Sequence, residues 1–217
     1  MRRFGSLLVN NLIAFFVFAA ALRMLYRFNE QGLPASLIVQ NLQYLKYFTV
    51  LSNLLGGVAA IIYGAALTLR LCRVIRRVPG WVTRLKYVST TLLALTFMVA
   101  LCYIGPRTDF QSAYRGANFW FHLIVPILAV LDFTLLDRSG RLTLPATFLP
   151  LIPTAVYSGF YLANLIMNGY GGRDHPNDWY GFGDDGAAGV YIVLAALLVG
   201  SWALAWALRL TRRGKDK

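Results

Sequence analysis

Leu45-Lys46-Tyr47-Phe48-Thr49-Val50-Leu51-Ser52-Asn53-Leu54-Leu55 opens an apolar run that continues to Leu69, and its length decides the fold. About 20 helical residues cross roughly 30 Å of hydrocarbon, so the run is long enough to span a membrane. Hydrocarbon gives Thr49, Ser52 and Asn53 no hydrogen-bond partner, so this segment must turn its polar face toward other helices. Runs of the same kind fall at Leu7 to Tyr26, Val82 to Ile104, Asn118 to Leu136, Leu142 to Met167 and Ala187 to Leu208. The expected fold is an all-α polytopic membrane protein with six transmembrane helices, residues 1–217 forming one domain. The breakers Gly105-Pro106 and Ser139-Gly140 are expected to end the third and fourth spans.

Composition agrees. The chain is 58% hydrophobic and 14% charged, with mean hydropathy +0.56, too apolar for an ordinary soluble domain. Its net charge of +12 does not read as a nucleic-acid footprint, because the basic residues lie between the apolar runs rather than on one patch. Arg2 and Arg3 ahead of Leu7 to Ala21, with Ala19-Ala20-Ala21, resemble a secretory signal. Further spans follow and Arg23 adjoins the site, so the segment is expected to stay as an anchor.

Lys and Arg in the short loops set orientation. Of the 21 basic residues, fifteen fall on the side of the termini: Arg2, Arg3, the group from Arg70 to Lys86, Arg138, Arg141 and those from Arg209 onward. Six fall on the other side, at Arg23, Arg27, Lys46, Arg107, Arg115 and Arg173. Both termini are therefore expected in the cytoplasm. Cys72 and Cys102 fall toward opposite ends of their spans, which excludes a disulfide between them.

Helical spacing sorts the polar residues into faces. The second span aligns Thr49, Asn53, Gly56, Ala60 and Gly64; the fourth aligns Asn118, His122, Pro126 and Ala129; the fifth aligns Tyr157, Tyr161, Asn164 and Asn168. Gly56, Ala60 and Gly64 also suit close helix packing. Thr49, His122 and Asn164 each lie roughly 6 Å inside the outer end of their spans, at 1.5 Å per residue.

A hydroxyl and an imidazole at one depth suffice for nucleophilic catalysis, His taking the proton as Thr attacks an acyl carbon. The same residues have plainer uses: a helical Thr bonds a carbonyl one turn back, and an intramembrane His bridges helices. Ser52 is a competing hydroxyl. Asp132 is ten residues from His122, roughly 15 Å along a helix, too far to orient its ring. Asn118 is the expected orienting group, with Tyr161 and Asn164 behind it, and Asn53 is a candidate for holding an oxyanion.

Asp174, His175, Asp178, Asp184 and Asp185 match no calcium or zinc spacing, and Asp184 or Asp185 is placed to cap the sixth helix. Trp179, Tyr180 and Phe182 read as an interfacial aromatic belt or a lid. GxSxG, HExxH, GxGxxG and Cys-x-x-Cys are absent, and two histidines make a bis-His haem improbable. No metal or cofactor is expected.

Lys46-Tyr47-Phe48-Thr49, then Phe121-His122-Leu123-Ile124-Val125-Pro126 and Asp132, resemble the androgen-induced-gene and androgen-dependent-regulator family of integral membrane hydrolases. The match is closer to its small bacterial branch. It runs from Tyr44 to Phe182 and takes in Asn168-Gly169 and Trp179-Tyr180-Gly181-Phe182, while the spacing from His122 to Pro126 looks one residue shorter than in the animal members. The resemblance implies a Thr nucleophile at Thr49 and a His at His122 cleaving fatty acid esters of hydroxy fatty acids. It also implies a prokaryotic plasma membrane and a lipid-ester partner. The rival expectation is a non-catalytic lipid-binding or small-molecule transport protein.

Overall fold

The structure, a computed structural model, describes residues 1–25, 42–137, 140–170 and 177–212. Tyr26, Arg27, Arg138, Ser139, Arg173, Asp174, His175 and the residues after Arg212, all invoked above, lie outside them. Among the described residues there is no strand, and six helices are long and apolar enough to cross a membrane. They are α1 (Arg2–Met24), α2 (Phe48–Leu71), α3 (Gly80–Arg107), α4 (Ala117–Leu136), α5 (Pro145–Asn168) and α6 (Gly186–Leu210). The architecture is all-α and polytopic.

Burial separates centre from rim. In the most apolar stretch of α2, 61% of residues are buried inside the protein, against 17% for α6. α2 sits at the centre because its small residues let neighbours approach. A Cβ on Gly56 would stand 2.8 Å from Leu93 of α3, and one on Gly57 2.8 Å from Val17 of α1. Membrane helices gain little from a hydrophobic effect between themselves, so such close packing carries their association. Ile13, Val17, Ala60, Leu93, Val125 and Ala129, drawn from α1 to α4, form the core around it.

α3 does not stop at Gly105-Pro106. It passes through a wide i→i+5 turn at Ala100–Ile104, where Gly105 N–H reaches Ala100 C=O, and runs on to Arg107. The widened turn carries Pro106 into a fresh helical start, where its missing N–H costs nothing. α4 contains two more such turns, Trp120–Ile124 and Asp132–Leu136. They hold His122 and Asp132.

Lys86, counted above among the loop charges, instead lies inside α3 and is 4% exposed. It pairs with Asp132 and lies 3.5 Å from Asp137, while Asp137 also receives Arg212 and the Tyr63 hydroxyl. Asn10 of α1 donates to Asp132 at 2.7 Å. Five helices are thus tied at the end where Met1 to Phe4 and Arg212 come together. Its two carboxylates and two cations balance, as burial at that depth demands.

Removing one charge should cost far more than removing a pair. Asp132→Asn alone is expected to lower stability by roughly 3 to 5 kcal/mol, and adding Lys86→Met to restore most of it. Thermal unfolding in detergent reads this; equal destabilisation by the single and double variants would contradict the pairing.

Candidate active site

α2 starts at Phe48, just after Tyr47, whose extended backbone (φ −84°, ψ 131°) ends the 3₁₀ turn Leu42–Lys46, and Thr49 is its second residue. That position frees its hydroxyl. Thr68, Thr91, Thr134 and Thr154 each donate to the carbonyl four residues back, at 2.8 to 3.1 Å. The residue four before Thr49 lies outside α2, and its Oγ1 instead meets His122 Nε2 at 3.3 Å.

The other ring nitrogen settles which proton goes where. His122 Nδ1 lies 2.8 Å from the Ala113 carbonyl oxygen, which can only accept, so Nδ1 carries the hydrogen. In the neutral ring, Nε2 then turns a lone pair to the Thr49 hydroxyl. Ala113 ends a short helix, Phe110–Ala113, capped by Asp109, whose carboxylate accepts from Ser112 N–H at 2.8 Å. Glycine at residue 105 lets this helix lie close: a Cβ there would come 2.6 Å from Phe110 Cδ1, and the Phe110 ring would have to move.

Thr49 and His122 line a cavity of about 320 Å³ with Asn118, Arg107, Tyr44 and Tyr180. Asn118 does not orient the ring; the Ala113 carbonyl holds that place, and the wide turn at Trp120–Ile124 breaks the simple four-residue stacking of Asn118 under His122. Ser52 turns to α3, bonding Thr96 Oγ1 at 2.8 Å and the Thr49 carbonyl at 3.1 Å. Asn53 spends its amide on the carbonyls of Thr49 (2.8 Å) and Phe121 (3.2 Å), bracing α2 against α4 beside the pair. Its donors are committed there, so an oxyanion must find others.

Tyr161 and Asn164 hold the outer loop rather than His122. Tyr161 OH donates to Asp178, which also accepts from Phe182 N (3.0 Å) and Gly183 N (2.7 Å), and Asn164 donates to Asn177 C=O at 2.8 Å. The loop's aromatics therefore pack inward: Tyr161 meets Trp179 at 4.9 Å and Phe182 at 5.2 Å, and Phe182 is buried. Asp185 stands at the N-cap of α6 without a capping bond from its side chain, reaching Arg107 at 3.7 Å instead.

Tyr180, from this loop, caps α2. Its hydroxyl accepts from Phe48 N–H at 2.8 Å, at a helix start where the first amides have no intrahelical acceptor. Burial pushes the Tyr180 phenol well above its ordinary range, so it stays a neutral donor. Tyr180, expected from the sequence only in an aromatic belt or lid, proves to be the cap of α2, and Ala113 is not foreseen at all, because a backbone acceptor leaves no residue-type signal.

Asp178→Ala leaves one hydroxyl and two amides without their acceptor. The expected cost is about 1 to 3 kcal/mol per buried group, with faster amide exchange at Phe182 and Gly183 by mass spectrometry. Unchanged exchange there would refute the anchoring role. No protein family, characterised protein or solved structure matches this chain in comparisons with each.

Proposed function

We propose that this chain is an integral membrane lipid-ester hydrolase with Thr49 as nucleophile and His122 as general base. The observation that carries the reading is Thr49 Oγ1 lying 3.3 Å from an imidazole nitrogen whose partner nitrogen is bonded to a carbonyl. A separation slightly beyond hydrogen-bond length is usual before substrate binds.

As Oγ1 attacks the ester carbon, its proton passes to Nε2, the Oγ1–C bond forms and the carbonyl π pair moves onto oxygen. Collapse of this tetrahedral intermediate breaks the bond to the alcohol oxygen, which takes the proton from Nε2. Water then attacks the acyl-threonine, giving a proton to Nε2. The second collapse breaks the C–Oγ1 bond and returns that proton to Oγ1, releasing acid. The oxyanion is stabilised at the start of α2, where the helix dipole is positive and the Tyr180 hydroxyl is at hand. Replacing water with a lipid alcohol makes the same pair an acyltransferase.

The resemblance to the androgen-induced-gene and androgen-dependent-regulator hydrolases supports fatty acid esters of hydroxy fatty acids as the substrate class. The distribution of Lys and Arg supports cytoplasmic termini, with the site at the outer leaflet of a prokaryotic plasma membrane.

Labelling of purified protein by a fluorophosphonate probe tests the assignment. Wild type and Ser52→Ala are expected to label, Thr49→Ala to lose labelling, and His122→Ala to label about 100-fold more slowly. Labelling that survives loss of Thr49 overturns the nucleophile. A folded wild type that neither labels nor hydrolyses esters favours the non-catalytic lipid-binding or transport reading.

A further inference from the structure

Resting on that reading, the proposed reaction imposes a direction on the ester. His122 must hand its proton to the departing alkoxide, so the alcohol arm lies in the cavity that His122 lines. The acyl arm, on the opposite side of the carbonyl carbon, must leave by another route. Thr49 borders a second space, lined by Leu95, Val99, Tyr157, Phe182 and Leu197 but not by His122. The two spaces differ in chemistry: the His122 side presents Arg107, Thr108 and Asn118, while the other is mainly apolar.

The second space is a slot of about 30 Å³, too small in volume for a long hydrocarbon chain. Phe48 and Tyr157, whose rings meet edge to face at 5.2 Å, border both the slot and an apolar groove of about 560 Å³ between α2, α3 and α5. Leu51, Val156 and Phe160 in that groove are exposed on the lipid-facing surface, 42%, 69% and 60% respectively. Tyr157 is pinned, its hydroxyl donating to the Lys46 carbonyl at 2.6 Å and accepting from Trp179 Nε1 at 3.2 Å. Phe48 carries no such bond, so its ring is the one free to turn aside.

We infer that a long acyl chain enters sideways from the bilayer through the α2–α5 groove and passes Phe48 into the slot beside Thr49. The polar alcohol stays in the His122 cavity. The substrate is then an ester of a long-chain fatty acid with an alcohol bearing polar groups, and Leu95, Val99 and Leu197 flank the acyl carbons nearest the ester.

Two measurements on the full chain in lipid nanodiscs test this. A long-chain fatty ester with a diazirine at its acyl end is photolysed with Thr49→Ala protein, which binds without turnover, and the adducts are mapped by mass spectrometry. Adducts on Leu95, Val99, Leu197, Val156 or Phe160 are expected. Adducts confined to Tyr44, Arg107 and Asn118, or scattered over the exposed faces of α1 and α6, overturn the proposal. This readout needs no catalysis, so it stands or falls separately from Thr49 as nucleophile. In the active protein, Val99→Trp is expected to lower the ratio of dodecanoyl to acetyl ester hydrolysis by about tenfold or more. An unchanged ratio refutes the slot.

Discussion

Hydrocarbon offers a polar group no partner, and this chain buries polar groups at both ends of its helices. Each must therefore be answered from within the protein. At the end near the termini the answer is a balanced set of charges, Lys86 and Arg212 against Asp132 and Asp137, with Asn10 and Tyr63 filling further positions. At the opposite end it is made mostly of neutral groups, hydroxyls, amides, one imidazole and the carbonyls that receive them, around one buried carboxylate, Asp178, that a hydroxyl and two amides satisfy. The first arrangement clamps five helices together and leaves little freedom. The second leaves Thr49 and His122 facing a cavity, their positions held by bonds made elsewhere on the same residues.

The Thr49–His122 pair depends on a chain of supports that begins well away from it. Gly105 has no Cβ, so Phe110 can lie against it; the short helix that Phe110 starts then ends with the Ala113 carbonyl at His122 Nδ1. On the other flank, Asp178 gathers the outer loop, and the loop delivers Tyr180 to the start of α2. Neither support touches the Thr49–His122 contact itself. A substitution at Gly105 or Asp178 therefore acts on the pair through position alone.

Hydropathy and length were enough to reveal six spans, because a membrane-crossing helix is defined by those two properties. Helical phase was enough to bring Thr49 and Asn53 of one span toward His122 of another. It did not find what orients His122. Phase assumes a regular 3.6-residue turn, and α4 widens at Trp120–Ile124, where His122 itself lies. The orienting acceptor is also main chain, which every residue carries alike. Tyr161 and Asn164 share a face as their spacing implies, yet their partners sit in a loop whose path no periodicity encodes. Lys86 misled for a related reason: a lysine near a span boundary reads as a loop charge unless the carboxylates that pull it inside are known.

The place of Thr49 within its helix bears most directly on what the site can do. A threonine one turn deeper would give its hydroxyl to a carbonyl behind it, as Thr68, Thr91, Thr134 and Thr154 do. Ser52, three residues on, is already lost in that way, its hydroxyl shared between the Thr49 carbonyl and Thr96. In the first turn a helical hydroxyl has no helical carbonyl behind it to compete for its proton, and there the helix dipole also creates a positive end. The same geometry that releases the Thr49 hydroxyl therefore supplies part of the field that the oxyanion of the proposed reaction requires. Starting α2 at Phe48 rather than a turn earlier is what makes both true at once.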